Sequence, residues 1–164
     1  MSTPKDSVEK VRRIADYQFG LGAGKALFPD RIRITHSKRT GKVRYVYEGG
    51  ELLAALKPLD GYLSLTIAGA KRLVEKLSPP RYFVMVSDAA VPFVAKGGNV
   101  FAKYVLDADA SIRPRDEVVV VDSEFKVIAV GRAVLSGVEM KKFRFGVAVE
   151  TRSGVLKEKL KNIR

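Results

Sequence analysis

Chemistry-bearing residues gather in three places along this chain. Lys96-Gly-Gly-Asn-Val-Phe-Ala-Lys103 sets two adjacent glycines and an asparagine between lysines. Such a loop offers backbone N–H groups and lets a ligand approach closely, while the lysines add charge. Arg31, Arg33, Lys38, Arg39, Lys42 and Arg44 crowd into two short extended runs and the loop joining them, with Tyr45 and Tyr47 interleaved. Cations mixed with aromatic rings suit single-stranded or distorted nucleic acid, where phosphates are neutralised and bases stack. Gly20-Leu-Gly-Ala-Gly-Lys25 hints at a phosphate loop. That chemistry needs GxxxxGK[ST] between a strand and a helix. Here Ala26 follows the lysine and a helical pattern precedes the glycines, so they are read as ending a helix.

Catalytic readings are weaker. His36 is the one histidine, and Ser37 follows it. Neighbours on a strand point to opposite faces, so the two do not form a nucleophile–base pair. Asp107/Asp109 and Asp116/Glu117 each flank a turn, where such acids bond local backbone. Cysteine is absent, which removes disulfides, thiolate zinc sites and cysteine nucleophiles. No catalytic residue, metal ligand or cofactor is nominated. The rival enzyme reading would rest on His36, Ser37 and nearby carboxylates.

Composition narrows the class. The 164 residues are 46% hydrophobic and 29% charged, a globular balance rather than a disordered or fibrous one. Thirty basic and 18 acidic side chains leave a net charge of +12, which points to a polyanionic partner. The excess is shared by both halves of the chain. The start has no apolar segment of signal-peptide length, and no run approaches the roughly 18 apolar residues of a membrane span. The expectation is a cytoplasmic protein with no membrane partner.

The elements that position these residues follow from periodicity. Thr3, Pro4 and Asp6 open a helix whose apolar stripe is Val8, Val11, Ala15 and Phe19. Arg31–Thr35 alternates basic and apolar residues, placing Arg31 and Arg33 on one face and Ile32 and Ile34 on the other. Residues 38–42 read as a hairpin loop, 43–47 as the return strand, and 52–56 and 62–65 as further strands. Thr66 caps a second helix with Ile67, Ala70, Leu73, Val74 and Leu77 on its buried face. Ser78-Pro79-Pro80 ends it and marks a domain boundary. Beyond it, 81–86, 100–106, 117–121, 127–134 and 143–149 read as strands and 88–95 as a short helix. Strands at this spacing predict a small closed barrel. Residues 156–164 read as a short basic helix or a frayed end.

The stretch RYFVMVSDAAVPFVAKGGNVFAKYVLDADASIRPRDEVVVVDSEFKVIAVGRAVLS resembles a PUA domain over about residues 79–153. The specific parts are KGGNVFAKYV, RPRDEVVVVD and VIAVGRAVLS, in that order. Upstream, DYQFGLGAGKALFP and SKRTGKVRYVYEGGELLAALKPLDGYLSLTIAGAKRL are similar to the domain preceding PUA in archaeal tRNA-guanine transglycosylases. The resemblance implies an archaeal source and RNA binding, with the PUA module at a tRNA acceptor stem and 3′ end. The large catalytic barrel of that family does not fit in 164 residues.

The resemblance implies an RNA surface at Lys96, Gly97, Gly98, Asn99, Val100 and Lys103. Phe101 matches an apolar family position, as core, as a stacking ring, or both. Arg132 lies beside Gly131, which serves packing, and Arg152 closes the last strand. Independently of the resemblance, the pattern of cations and rings predicts phosphate contacts at Arg31, Arg33, Lys38, Arg39, Lys42 and Arg44. The expected fold is α+β. Residues 1–78 form an antiparallel sheet with two helices, 79–153 form a PUA pseudobarrel, and 154–164 form a basic tail. The expected partner is RNA, tRNA ahead of ribosomal RNA, with a catalytic RNA-modifying enzyme as a second partner. The alternative is a ribosome- or protein-associated interaction module without RNA chemistry.

Overall fold

The computed structural model describes residues 5–157. The capping residues Thr3 and Pro4, and most of the tail, lie outside this range. The chain divides into two compact units between Arg81 and Tyr82. Among the described residues, no helix is long and apolar enough to cross a membrane.

In the first unit, helix α1 (Lys5–Phe19) buries Val8, Val11, Ala15 and Phe19 on one stripe. Full burial of a Val or Phe is worth about 2 kcal/mol, so this stripe anchors the helix. A short helix α2 (Ala23–Leu27) follows. Strands β1 (Ile32–His36), β2 (Val43–Glu48), β3 (Glu51–Leu56) and β4 (Leu63–Leu65) form an antiparallel sheet in sequence order. Helix α3 (Ile67–Lys76) packs on β3 and β4, and α1 packs on β1 and β4. The Thr66 hydroxyl accepts from the Gly69 amide at 3.1 Å and donates to the Leu52 carbonyl at 2.6 Å, so the cap also ties the helix to the sheet. Gln18 tethers α1 to the sheet edge, donating to the Leu63 carbonyl at 2.8 Å and accepting from the Leu63 amide at 2.7 Å.

In the second unit, six strands run in the order β6-β10-β9-β8-β5-β7. They are β5 (Phe83–Val86), β6 (Val100–Phe101), β7 (Val105–Ala108), β8 (Glu117–Val121), β9 (Val127–Ala133) and β10 (Val147–Gly154). Neighbours are antiparallel except β5 and β8, which are parallel. The two edge strands β6 and β7 are joined by a single 3₁₀ turn, Ala102–Tyr104, so the sheet curls into a nearly closed pseudobarrel. Its core includes Val84, Val86, Val100, Ile112, Val118, Val120 and Met140. Every residue of β8 is buried.

Three sequence expectations are corrected. The run 100–106 is not one strand, because the 3₁₀ turn splits it into β6 and β7. The last strand begins at Val147 rather than Phe143 and runs on to Gly154. The segment before it holds a helix, α5 (Gly137–Lys142), that the β-rich composition of its flanks obscured. Pro92 is no obstacle to α4 (Val91–Ala95), since it sits in the first turn, where no helical N–H is lost.

Helix α5 starts at a reciprocal cap. The Ser136 hydroxyl accepts from the Glu139 amide at 3.2 Å, and the Glu139 carboxylate accepts from the Ser136 amide at 3.0 Å. The Ser136 amide, and then its hydroxyl, hold the Glu139 carboxyl below its ordinary value of 4.5. A carboxyl depressed in the fold stabilises it above the unfolded value and loses that contribution as pH falls through the folded value. Urea unfolding of the parent and Glu139→Gln should therefore differ at about pH 6 and converge as pH drops below the carboxylate range. Ser136→Ala should cost about 1 kcal/mol at neutral pH in the same assay.

Candidate nucleic-acid interface

The glycine loop is the C-terminal stop of α4. The Gly97 amide donates to the Val94 carbonyl and the Gly98 amide to the Phe93 carbonyl, both at 2.9 Å. Gly97 takes φ +106°, which side chains rarely adopt, and a Cβ on Gly98 would lie 2.8 Å from the Phe93 carbonyl oxygen. The glycines therefore close a helix end. This corrects the expectation that their N–H groups are offered to a ligand, since the chain's own carbonyls occupy them.

Side chains carry the polar surface instead. Lys96 and Lys103 are exposed. The Lys103 ammonium lies 5.0 Å from the Tyr104 ring centroid. The Asn99 side-chain oxygen accepts from the Thr151 amide at 3.1 Å, pinning the loop to β10. Val100 is fully buried in the core, so its side chain is withdrawn from the surface. Phe93 and Phe101 are 71% and 47% exposed. With Gly98, Asn99, Lys103 and Tyr104 they line a groove of about 400 Å³.

Arg132 and Arg152, the two arginines of this unit expected at the RNA surface, are already engaged. Arg132 donates to Glu150 across the β9–β10 ladder at 2.9 Å. Arg152 grips Glu117 with both terminal nitrogens, one bond at 2.9 Å and a shorter one to the other oxygen. Glu117 is not a turn carboxylate as its sequence position suggests. It opens β8, is only 4% exposed, and depends on Arg152 for charge compensation. Asp109, Asp107 and Asp116 do bond local backbone, at the Ser111, Ala108 and Arg113 amides respectively, and Asp109 also accepts from the Tyr82 amide, 27 residues away, at 2.7 Å.

In the first unit Arg31, Arg33, Lys38, Arg39, Lys42 and Arg44 are all exposed. The hairpin loop is closed by the Ser37 amide on the Lys42 carbonyl and the Gly41 amide on the Ser37 carbonyl, both at 2.8 Å. β1–β2 pairing sets Arg33 opposite Tyr47, and the guanidinium lies 4.6 Å from that ring centroid. Arg44 lies 5.4 Å from the Tyr45 ring centroid. Arg31 is set apart by an ion pair with Glu48 at 3.0 Å. Arg39, Lys42 and Arg44 line a groove of about 640 Å³, where Lys10 and Lys57 join them from α1 and the β3–β4 turn. Periodicity could not reveal that convergence. His36 is exposed at the end of β1, and the Ser37 hydroxyl accepts from the Thr40 amide at 3.3 Å.

The phosphate-loop resemblance at 20–25 has a local explanation. The Asp16 carboxylate accepts from the Gly24 amide at 2.7 Å and the Gly22 amide at 3.2 Å. The chain's own anion fills the position a phosphate would take. Sequence reasoning also passed over exposed rings at Phe93, Phe143 and Phe145, and the cation Arg144 between the last two. The alternation in Lys141-Lys-Phe-Arg-Phe145 was the available signal.

Residues 9–80 match the family model described as the patch-forming domain C2 of tRNA-guanine transglycosylase, and residues 82–155 match that of the PUA domain. The tRNA-guanine(15) transglycosylase of Methanobrevibacter smithii is 44% identical over 153 residues, 93% of this chain and 23% of that protein. The enzyme of the same name from Thermococcus kodakarensis is 48% identical over 147 residues, 90% of this chain and 25% of that protein. The chain thus spans about a quarter of the length of these curated relatives. A hypothetical protein from Pyrococcus horikoshii has the same fold, with a TM-score of 0.75 at 21% identity over 96% of this chain and 97% of the other. So does a conserved PUA domain protein from Thermoplasma acidophilum, with a TM-score of 0.70 at 20% identity over 99% of this chain and 97% of the other.

The buried Glu117 makes Arg152 a structural residue first. Arg152→Ala should lower unfolding stability by about 2–3 kcal/mol, less than for a fully buried pair because the arginine is partly solvated. Lys96→Ala should leave stability within about 0.5 kcal/mol of the parent. Chemical denaturation of the two variants side by side checks the contrast.

Proposed function

We propose that this chain, which belongs to the PUA-domain family and carries a C2 patch-forming domain ahead of its PUA fold, binds structured RNA. The observation that carries the reading is the exposed Lys96 and Lys103 beside a ring-lined groove, on a chain of net charge +12. Neither lysine has a carboxylate partner among the described residues. Both are therefore available to phosphates, and the affinity they add is sequence-independent and salt-sensitive.

Roles follow from the geometry. Lys96 and Lys103 take phosphates. Asn99 spends its oxygen on Thr151 and keeps its side-chain nitrogen as a donor to a base edge. Gly97, Gly98 and the Val100 backbone let RNA come close. Arg132 and Arg152 contribute through their partnered, still partly solvated guanidinium groups. In the first unit Arg33, Lys38, Arg39, Lys42 and Arg44 add phosphate contacts, with Arg31 shared with Glu48. Transfer RNA, approached at its acceptor stem and 3′ end, is the favoured target. The support is that the curated relatives are named for action on tRNA. The chain then serves as the RNA-binding component of a tRNA-modification system in the cytoplasm. No catalytic role is assigned to His36, Ser37 or the acidic pairs, and a catalytic RNA-modifying enzyme is the second partner of this reading.

The test is binding to total tRNA, with and without the 3′ CCA, across a salt series. Log K should fall linearly with log salt, and Lys96→Ala and Lys103→Ala should each reduce the slope by about 1. Loss of binding on CCA removal supports recognition of the 3′ end. Unchanged binding moves the target to another feature, with ribosomal RNA next. Absence of RNA binding at moderate salt overturns the proposal in favour of a protein-interaction module.

A further inference from the structure

Phe145 is 88% exposed in the middle of Lys142-Phe-Arg-Phe-Gly146, a segment exposed at every residue. Exposing one large ring is ordinary; exposing several in one place, among cations, is not. The segment leads into β10 beside the glycine loop. β10 pairs with β6 so that Val147 faces Phe101, and the Ala102 amide donates to the Gly146 carbonyl at 2.9 Å. Phe145 is thus two residues from the ladder partner of Phe101, itself 47% exposed and lining the groove with Phe93. Residues 144–146 form a bend, with Gly146 at φ +88°, so the chain turns just ahead of β10. Two residues span at most about 7 Å and adjacent strands lie about 5 Å apart, so the backbones of Phe145 and Phe101 lie within about 12 Å of each other, close enough for their rings to serve one strand of RNA. Lys142 and Arg144 flank it on one side and Lys103 on the other. None of the three has a carboxylate partner among the described residues. The adjacent Lys141 does, pairing with Asp107 at 3.2 Å.

We propose that Phe101 and Phe145 form a stacking platform for unpaired bases of a single-stranded RNA segment, with Arg144, Lys142 and Lys103 on its phosphates. The proposal rests on the RNA-binding reading and deepens it. Rings stack only on bases whose faces are open. In a duplex those faces are covered by neighbouring pairs, so the platform selects unpaired strand. The interleaved cations answer the charge of the same strand, with no acid between Lys141 and Gly146 to oppose it. The groove of about 400 Å³ beside Phe101 is large enough to seat one base edge next to the Asn99 nitrogen.

The chain contains no tryptophan, so Phe145→Trp places a single reporter on the platform. This variant of the full chain is titrated with an unstructured oligoribonucleotide and with a blunt RNA duplex of equal length. The expected result is saturable quenching of tryptophan emission by the single strand and little by the duplex. Phe145→Ala and Phe101→Ala should each weaken single-strand binding about tenfold and leave duplex binding within about twofold. RNA binding without quenching, and without loss in the alanine variants, overturns the platform and leaves the RNA-binding reading standing. Absence of binding to either RNA overturns both. Both alanine changes fall on exposed rings, and matched circular dichroism spectra confirm that a lost interaction is not a lost fold.

Discussion

A buried carboxylate paired with an arginine organises the surface of the second unit. Glu117 opens a strand that is buried throughout, and Arg152 is the cation that makes its charge tolerable there. The pair fixes the C-terminal half of β10 against β8, although β9 lies between the two strands in the sheet. β10 also passes its backbone close to Gly131, where any Cβ would collide with the Glu150 carbonyl. With the register of β10 set, the Thr151 amide is in place to hold Asn99, and the Gly146 carbonyl to hold Ala102. The glycine loop, β6 and the ring-bearing segment before β10 all hang from this one strand. Its anchoring ion pair is chemically unrelated to the ligand they are proposed to bind.

The net charge of +12 divides into two populations with different work. Arg12, Arg72, Arg132 and Arg152 are committed to the fold. Arg12 donates to the Phe28 carbonyl at 2.9 Å, and Arg72 bridges the Ala26 carbonyl at 3.1 Å and Glu48 at 3.1 Å. A planar guanidinium with several donors can satisfy carbonyls and carboxylates together, which a lysine cannot do as well. Lys38, Arg39, Lys42, Lys96, Lys142 and Arg144 form the other population, exposed and without a carboxylate partner among the described residues. Their mutual repulsion costs stability and their proximity to a polyanion recovers it. Counting basic residues does not separate the populations; locating their partners does.

What was legible in the sequence followed local rules. The α1 stripe of Val8, Val11, Ala15 and Phe19, the Thr66 cap and the basic hairpin around Gly41 depend on near neighbours and stand where periodicity placed them. Helix α5 was written in the sequence as Ser136-Gly-Val-Glu139, a capping box, but flanking β-formers outweighed six helical residues. The split of 100–106 was not readable, because closing the barrel between β6 and β7 imposes the turn. Nor was the pairing of Glu117 with Arg152, which lie 35 residues apart. The amides of the glycine loop are not the free donors its composition suggests, since composition does not tell a free amide from one already bonded to Phe93 or Val94. The same ambiguity applies at Gly22 and Gly24, where the anion is Asp16.

Charge and rings contribute to recognition in different ways, and the proposed function needs both. Phosphate contacts by exposed lysines are strong at low salt, fade with screening and carry no information about which RNA is bound. Neutralisation alone would let this protein coat any polyanion. Stacking is less sensitive to salt and demands an accessible base face, so it converts general affinity into preference for an unpaired segment. A helix-closing glycine loop of this kind keeps its N–H groups internal. It holds Asn99 and the neighbouring rings at fixed positions instead of wrapping a phosphate itself. Phenyl rings with two rotatable bonds and a hydrogen-bonded amide lose little conformational entropy on binding, whereas long lysine side chains lose more for each contact. Selectivity in such a surface therefore resides in the few ordered side chains at β6, β10 and the loop between α4 and β6, and the many lysines and arginines around them set how often an RNA arrives.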